Sequence, residues 1–250
     1  MELYGLIGFP LEHSFSPDFF QRKFVKEGFT NEEYRLFPLK DITELPRLVA
    51  EHPDLAGFNV TSPHKQAVLP YLTRTDNAAA TIGAVNTVKV VRGSGRTELH
   101  GYNTDYIGFA ESLLEVLPRT PKRALVLGTG GGARAVTYAL TGLHTEVTTV
   151  SRTPERGALT YHDLTAEVVN EHLLIVNATP LGMHPAPDSC PDFPFQWLNG
   201  RHFLFDLIYN PEETEFLRRG RLHGAGTCNG LAMLRHQAEA AWTVWQRYDS

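Results

Sequence analysis

The chain has 250 residues, 42% of them hydrophobic and 20% charged, with a formal net charge of -5. That acidic balance argues against nucleic acid or an anionic membrane as the main partner, since both select basic surfaces, and no apolar run approaches the roughly 18 residues a membrane span needs. The length suits two domains. Cys190 and Cys228 are the only cysteines, too few for a disulfide framework, and fit a reduced, cytoplasmic setting. The opening Met-Glu-Leu-Tyr-Gly has neither a basic nor an apolar leader region, so no secretory signal is expected.

Strand-like and helix-like segments alternate from the start, the mark of an α/β fold. Leu3–Ile7 reads as a buried strand. Ser16-Pro17 reads as an N-cap followed by proline, opening a helix to about Lys26. Tyr34–Leu36 is a strand and Ile42–Ala50 a helix with Leu45, Leu48 and Val49 on one face. Leu55–Val60 is the next strand. Ser62-Pro63 again reads as cap plus proline, opening a short helix through Lys65. Val85–Val91 and Thr97–His100 flank Arg92-Gly93-Ser94-Gly95 as a hairpin. A long helix begins at Asn103-Thr104-Asp105, with Thr104 as its cap, and the domain change is expected here. Arg123–Leu127 is an apolar strand, followed by a glycine cluster, a helix to Leu140 that Gly142 ends, and a strand at Glu146–Val150. Leu173–Asn177 and Phe203–Leu207 are further strands. The last helix, Leu231–Tyr248, carries Leu234, Ala238, Trp242 and Trp245 at core-facing spacing.

Strand, glycine cluster, small residue, helix and strand form the context that a dinucleotide fingerprint requires. Gly128 permits the tight turn, and Gly130, with Gly131 and Gly132, lets backbone approach a pyrophosphate. Ala133 allows close helix packing, and the helix N-terminus offers N–H groups to phosphate. An NAD site places an acidic residue near the end of the second strand. Ser151-Arg152-Thr153 stands there instead. A guanidinium and two hydroxyls suit a 2′-phosphate, so NADP(H) is the expected cofactor, and Arg156 adds a second charge.

Several polar clusters adjoin strand ends, where ligands collect in open α/β sheets. Taken alone, each has a purely structural reading: Ser16 and Ser62 as caps, Asn59 and Asn103 as turn residues, Asp105 as a first-turn acid, Lys65 as an exposed lysine. Together they resemble a known family. Ser14-x-Ser16-Pro17, Asn59-Val60-Thr61-x-Pro63-x-Lys65, Gly83-Ala84-Val85-Asn86-Thr87, Gly101-x-Asn103-Thr104-Asp105, the glycine loop, Arg152-Thr153, Asn177-Ala178-Thr179-Pro180-x-Gly182-Met183, Asp206-x-x-Tyr209-Asn210-Pro211 and Gly230-x-x-Met233-Leu234-x-x-Gln237-Ala238 resemble, in order, the motifs of the shikimate dehydrogenases.

That resemblance implies a reversible, NADPH-dependent reduction of 3-dehydroshikimate to shikimate, on the route to chorismate and the aromatic amino acids. It implies that Ser14 and Ser16 bind the substrate carboxylate, that Thr61, Asn86, Tyr209 and Gln237 bind substrate, and that Lys65 and Asp105 are catalytic. It also implies that Leu207 and Gly230 line the nicotinamide end. Chemistry agrees with those roles. A ketone that receives a hydride leaves an alkoxide, which needs a proton and a positive neighbour, and Lys65 offers both. Asp105 would orient Lys65 and bond the substrate hydroxyls. His13 and His64 are less suited as acids on geometric grounds, and no zinc-type spacing occurs, so no metal is expected.

The chain departs from the family pattern at Glu12, which stands where glycine is usual, at Ser62 in place of an aliphatic residue, and at Ser151 in place of asparagine. The stretch from Thr153 to Asn177 is short, which leaves one helix–strand unit in question. The expected architecture is a Rossmann-type doubly wound cofactor domain over 103–230 and an α/β substrate-binding domain over 1–102 with 231–250. The site is expected in the cleft between them. The expected partner is a small molecule, with no nucleic acid and no membrane, and the expected assembly a monomer or homodimer. Rival readings are a quinate/shikimate dehydrogenase of broader specificity and a non-catalytic NADP-binding regulatory protein. Intact Lys65 and Asp105 speak against the latter. Neither G-x-S-x-G nor G-x-x-x-x-G-K-[ST] occurs, which disfavours a hydrolase or phosphotransferase.

Overall fold

The computed structural model describes residues 1–12, 14–93 and 95–247. The chain forms two compact units, Met1–Thr104 with the chain from Ala238 onward, and Asp105–Gln237. In the first unit the elements are β1 (Glu2–Gly8), α1 (Ser16–Glu27), β2 (Glu32–Pro38), α2 (Leu45–Glu51), β3 (Leu55–Val60), α3 (His64–Ala67), β4 (Arg74–Thr75), α4 (Asn77–Ile82), β5 (Thr87–Gly93) and β6 (Arg96–Tyr102). They build one six-stranded sheet in the order β2-β1-β3-β5-β6-β4. β1 pairs in parallel with β2 and β3, and β5 runs antiparallel to both β3 and β6.

In the second unit α5 (Asp105–Val116), β7 (Arg123–Leu127), α6 (Gly131–Gly142), β8 (Glu146–Ser151), β9 (Leu159–Thr160), α7 (Ala166–Glu171), β10 (Leu174–Asn177), β11 (Phe203–Asp206), α8 (Glu215–Leu222) and β12 (Gly226–Cys228) precede α9 (Leu231–Gln246), which runs into the first unit's part of the chain. The sheet order is β12-β11-β10-β7-β8-β9, with every pairing parallel. This is the doubly wound Rossmann arrangement, and its switch point lies between β7 and β10, where such sheets bind ligands. The fold is α/β in both units, as the alternation of segments predicts.

The period-two pattern of β1 explains why the first sheet is covered on both faces. Leu3 and Ile7 enter one buried cluster with Leu45, Leu55 and Phe58. Tyr4, on the opposite face, packs with Phe20, Phe24, Ala238, Ala241, Trp242 and Trp245. The tryptophans of α9 are therefore core. Gly57 is glycine for the same reason, because the Trp245 indole fills the space a Cβ would need. Trp245 Nε1 also donates to the Val88 carbonyl at 3.0 Å.

Four local expectations are corrected. Ser16 does not cap α1. Phe15 holds that position, and the Ser16 N–H donates to Ser14 Oγ at 3.4 Å. Ser62 does not cap α3 either, since Pro63 occupies the position without a side-chain bond; the Ser62 carbonyl instead accepts from Phe9 N–H, which ties the ends of β1 and β3 together. Gly142 belongs to α6, whose left-handed turn is made by His144 at φ 60. The Thr145 N–H closes that turn on the Leu140 carbonyl at 2.9 Å. Finally, the shortened stretch loses no strand. Residues 152–158 join β8 to β9 without a helix, and β9 keeps its parallel place. α9 ends at Gln246; Tyr248, expected as its last residue, lies outside the described residues, as do His13 and Ser94.

Candidate active site

In the first unit the polar clusters gather at the carboxyl ends of β1 and β3. The Thr61 N–H donates to Ile7 O at 2.9 Å, so the loop after β3 lies across the end of β1. Gly8 permits this, because a Cβ there would strike the Thr61 methyl and approach the Ser62 carbonyl to 3.0 Å. His64 N–H turns back to Thr61 O at 2.9 Å, and the Lys65 carbonyl accepts from Val85 N–H at 2.8 Å. The His64 ring is buried and donates from Nε2 to the Leu39 carbonyl at 2.7 Å. That ring nitrogen is spent on structure, and it fixes α3, so the half-buried Lys65 side chain starts from a rigid base.

Asn86 sits at the centre of a buried neutral network. Its Nδ2 donates to Thr104 Oγ1 at 2.9 Å and its Oδ1 accepts from Thr104 N–H at 2.6 Å. Asn59, also buried, donates from Nδ2 to Asn86 O and to Thr87 Oγ1, both at 3.2 Å. Tyr34 donates its hydroxyl to Asn59 Oδ1 at 2.8 Å. Burial pushes the Tyr34 phenol far above its ordinary range. Asn86, singled out by motif, is thus joined through Asn59 to Tyr34, which motif reading missed. A tyrosine inside a strand, 25 positions from Asn59, carries no sequence signal of that link.

In the second unit the phosphate loop has the geometry its glycines predict. Gly128 adopts φ 110, in the left-handed region, and a Cβ there would come within 3.1 Å of the Ala178 carbonyl. Gly130 is the N-cap of α6 with no side-chain cap, and a Cβ there would meet open space. The first N–H groups of a 12-residue helix receive no side-chain cap from Gly130 and suit an anion. Ala133 is buried under the sheet. A Cβ at Gly132 would touch Leu207 Cδ1 at 3.3 Å, and one at Gly230 would overlap the Leu207 carbonyl. Gly132, Leu207 and Gly230 are thereby neighbours. At the end of β8, Thr153 N–H donates to Ser151 Oγ at 3.2 Å, Gly157 folds back onto Ser151, and Arg152 and Arg156 are exposed. Burial pushes the neighbouring Tyr161 phenol up to about 12, and the Arg152 charge acts against that rise. A pyrophosphate and a 2′-phosphate fit these two stations, backbone N–H groups for the first and guanidinium with hydroxyls for the second.

Asp105 is buried as the first residue of α5. One turn on, Gly108 lets α5 press against α9, where a Cβ would lie 2.8 Å from the Gln237 Cβ. Gln237 Nε2 donates to the Leu234 carbonyl at 3.0 Å. Tyr209 follows the end of β11, where a fully buried carboxylate organises the turn. Asp206 Oδ1 accepts from Asn177 Nδ2 and Ile208 N–H, both at 3.0 Å, and Oδ2 accepts from Thr214 at 2.6 Å. Desolvation pushes its carboxyl up to about 6 despite these bonds. Among the described residues no group of His, Cys, Asp and Glu is placed to hold a metal ion, and no helix is long and apolar enough to cross a membrane.

Comparison with known proteins agrees with this geometry. Residues 6–88 match the model of the shikimate dehydrogenase substrate binding domain. The shikimate dehydrogenase (NADP(+)) of Desulforamulus reducens is 43% identical over 98% of this chain and 89% of its own length. The crystal structure of shikimate 5-dehydrogenase from Thermus thermophilus, in complex with NADP(H) and shikimate, superposes with a TM-score of 0.87 at 32% identity, covering 98% of this chain and 94% of that one. A quinate dehydrogenase from Corynebacterium glutamicum in complex with NAD superposes with a TM-score of 0.84 at 29% identity, covering 98% and 93%.

Proposed function

The chain belongs to the shikimate dehydrogenase family, and we propose that it catalyses the reversible NADPH-dependent reduction of 3-dehydroshikimate to shikimate with Lys65 as its general acid. The observation that carries this assignment of roles is the anchoring of α3, which presents Lys65 beside Thr61 at the strand ends that also carry Ser14, Ser16 and Asn86. When bound, NADPH supplies the hydride. Gly128, Gly130, Gly131, Gly132 and Ala133 hold its pyrophosphate, Ser151, Arg152 and Thr153 its 2′-phosphate, and Leu207 and Gly230 the nicotinamide end.

The remaining chemistry belongs to side chains. Ser14 and Ser16 grip the carboxylate of the substrate. Thr61, Asn86, Tyr209 and Gln237 hold its hydroxyl and ring face, and Asp105 accepts hydrogen bonds from its hydroxyl groups. As the ketone carbon gains hydride, its oxygen gathers negative charge. The Lys65 ammonium stabilises that charge and gives the oxygen its proton; in the reverse direction the neutral amine takes the proton back. The enzyme works in the cytoplasm as a monomer or homodimer.

The test is NADPH formation, followed by its near-ultraviolet absorbance, with shikimate and NADP⁺ against parallel assays with quinate and with NAD⁺. Turnover confined to shikimate with NADP⁺ is expected. Comparable turnover of quinate or NAD⁺ would replace this reading with the broader-specificity one, and no turnover in any assay would leave a non-catalytic NADP-binding protein.

A further inference from the structure

The carboxylate at the end of β11 is fully buried, and its three donors are all neutral: the Asn177 amide, the Ile208 backbone N–H and the Thr214 hydroxyl. The start of α8, capped by Thr214, offsets part of the charge, yet desolvation still lifts the carboxyl to about 6. The ionised form prevails at neutral pH, so this end of the sheet carries uncompensated negative charge at a cost in stability. Hydrogen bonding alone does not demand that charge. An asparagine oxygen would accept from Asn177 and Ile208, and its NH₂ would donate to Thr214 Oγ1.

Two of the donors belong to segments that border the cofactor loops. Asn177 is followed by Ala178, whose carbonyl lies against Gly128. Ile208 gives its carbonyl to the Gly230 N–H at 3.0 Å. Between them, Leu207 donates its N–H to Asn177 O at 3.0 Å, turns Cδ1 towards Gly132 and rests its carbonyl on Gly230. Leu207 therefore follows the buried carboxylate directly, with consecutive Cα atoms about 3.8 Å apart. The two forms of the cofactor share their phosphates and differ in ring charge: the nicotinamide is a cation in NADP⁺ and neutral in NADPH. In surroundings of low dielectric, an uncompensated carboxylate favours the cation. We propose that the Asp206 carboxylate is the counter-charge of the oxidised nicotinamide ring and sets the balance between bound NADP⁺ and bound NADPH. The proposal rests on the reading of Leu207 and Gly230 as the nicotinamide end.

Calorimetric titrations of wild type and Asp206→Asn with NADP⁺, NADPH and the ringless 2′-phospho-ADP-ribose test it, at mildly alkaline pH where the carboxyl is ionised. Asparagine keeps the size and the acceptor and sheds a buried charge, so the variant is expected to fold. Its Kd for NADP⁺ should rise about ten-fold, the scale of unit charges roughly 12 Å apart at an effective dielectric of about 20. NADPH and 2′-phospho-ADP-ribose should stay within about two-fold, since neither carries the ring charge. Equal losses for NADP⁺ and NADPH, whether or not the third probe follows, would make Asp206 a support of the loop and overturn the proposal. An unchanged Kd for NADP⁺ would overturn it as well. Leu207→Ala, titrated in parallel, checks the reading beneath. It should weaken NADP⁺ and NADPH alike and spare 2′-phospho-ADP-ribose. If it weakens none of them, the nicotinamide end is not at Leu207, and the proposal falls with that reading.

Discussion

In the first unit the groups offered to a ligand are side chains, and each is held by another side chain: Asn86 by Thr104, Asn59 by Thr87, Tyr34 by Asn59. In the second they are largely backbone, laid open by glycine at Gly128, Gly130 and Gly230. The difference follows from what is bound. A pyrophosphate presents diffuse charge, which N–H groups at a helix end satisfy without a fixed pattern. A polyhydroxylated acid presents donors and acceptors at set positions, and only ordered side chains discriminate among them. The first unit keeps its buried network neutral. The second buries a charge, Asp206, with three donors around it.

Four measurements test that contrast. The largest effect is expected at Lys65, the one cation in the set assigned to the substrate. Lys65→Ala should lower kcat at least about 10²-fold, the scale of lost acid–base catalysis, with the KM for shikimate little changed. Near-normal kcat in steady-state assays would take Lys65 out of that role.

Next is the buried charge. Asp206 has its carboxyl raised from 3.8 to about 6, so between those values the folded chain holds a proton the unfolded chain has released. Stability conferred by that proton is present at low pH and is lost as pH rises through about 6. The ionised group costs on the order of 3 kcal/mol at neutral pH, at about 1.4 kcal/mol per pH unit. Relative to Asp206→Asn, the wild-type chain should lose stability by up to that amount between about pH 4 and pH 7, read from denaturant melts at several pH values. Parallel curves for the two proteins would show that Asp206 is not the group responsible.

Third, Gly128→Ala forces a Cβ into the left-handed region against the Ala178 carbonyl. About 1–3 kcal/mol of strain is expected, seen as a lower Tm together with weaker NADPH binding. Unaltered NADPH affinity in a fluorescence titration would detach this loop from the pyrophosphate. The smallest effect is expected at Arg152, which is exposed. Arg152→Ala should weaken NADPH by about ten-fold, roughly the worth of a charge-assisted hydrogen bond, and leave NADH nearly unaffected. Equal losses for both cofactors would mean that Arg152 does not read the 2′-phosphate.

The contrast also accounts for what the sequence discloses. The glycine loop is legible because its function is backbone geometry, and backbone geometry writes itself as glycine between a strand and a helix. The Rossmann sheet follows from the same run of segments. β4 and β9, of two residues each, have no periodicity to detect, and α4 is announced only by Asp76 and Gly83, whose capping roles are plain once seen. The two Ser-Pro pairs mislead because Ser16 is already the first residue of α1, while Ser62 lies in the loop two residues ahead of α3. Lys65 and Asn86 stand out by motif, yet the partners that order Asn86 lie on other strands. Tyr34 and Asn59 look like ordinary strand residues until β1, β2 and β3 are laid side by side. Asp206 belongs to a recognisable motif, but its three donors come from β10, from the N-cap of α8 and from the Ile208 backbone, and only the fold brings them together.

The aromatic face of the first sheet carries a consequence for how this protein comes into being. Tyr4, Phe20 and Phe24 are covered by Ala238, Ala241, Trp242 and Trp245, and Tyr4 is hydrogen-bonded to a residue 242 positions later, Gln246. A ribosome adding about 5–20 residues per second delivers that cover roughly ten to fifty seconds after Tyr4. Throughout that interval the nascent chain displays an oily surface that chaperones bind and aggregation exploits. A premature stop codon anywhere before the last helix would leave it bare for good. The unit that leaves the ribosome first is thus the last to be finished.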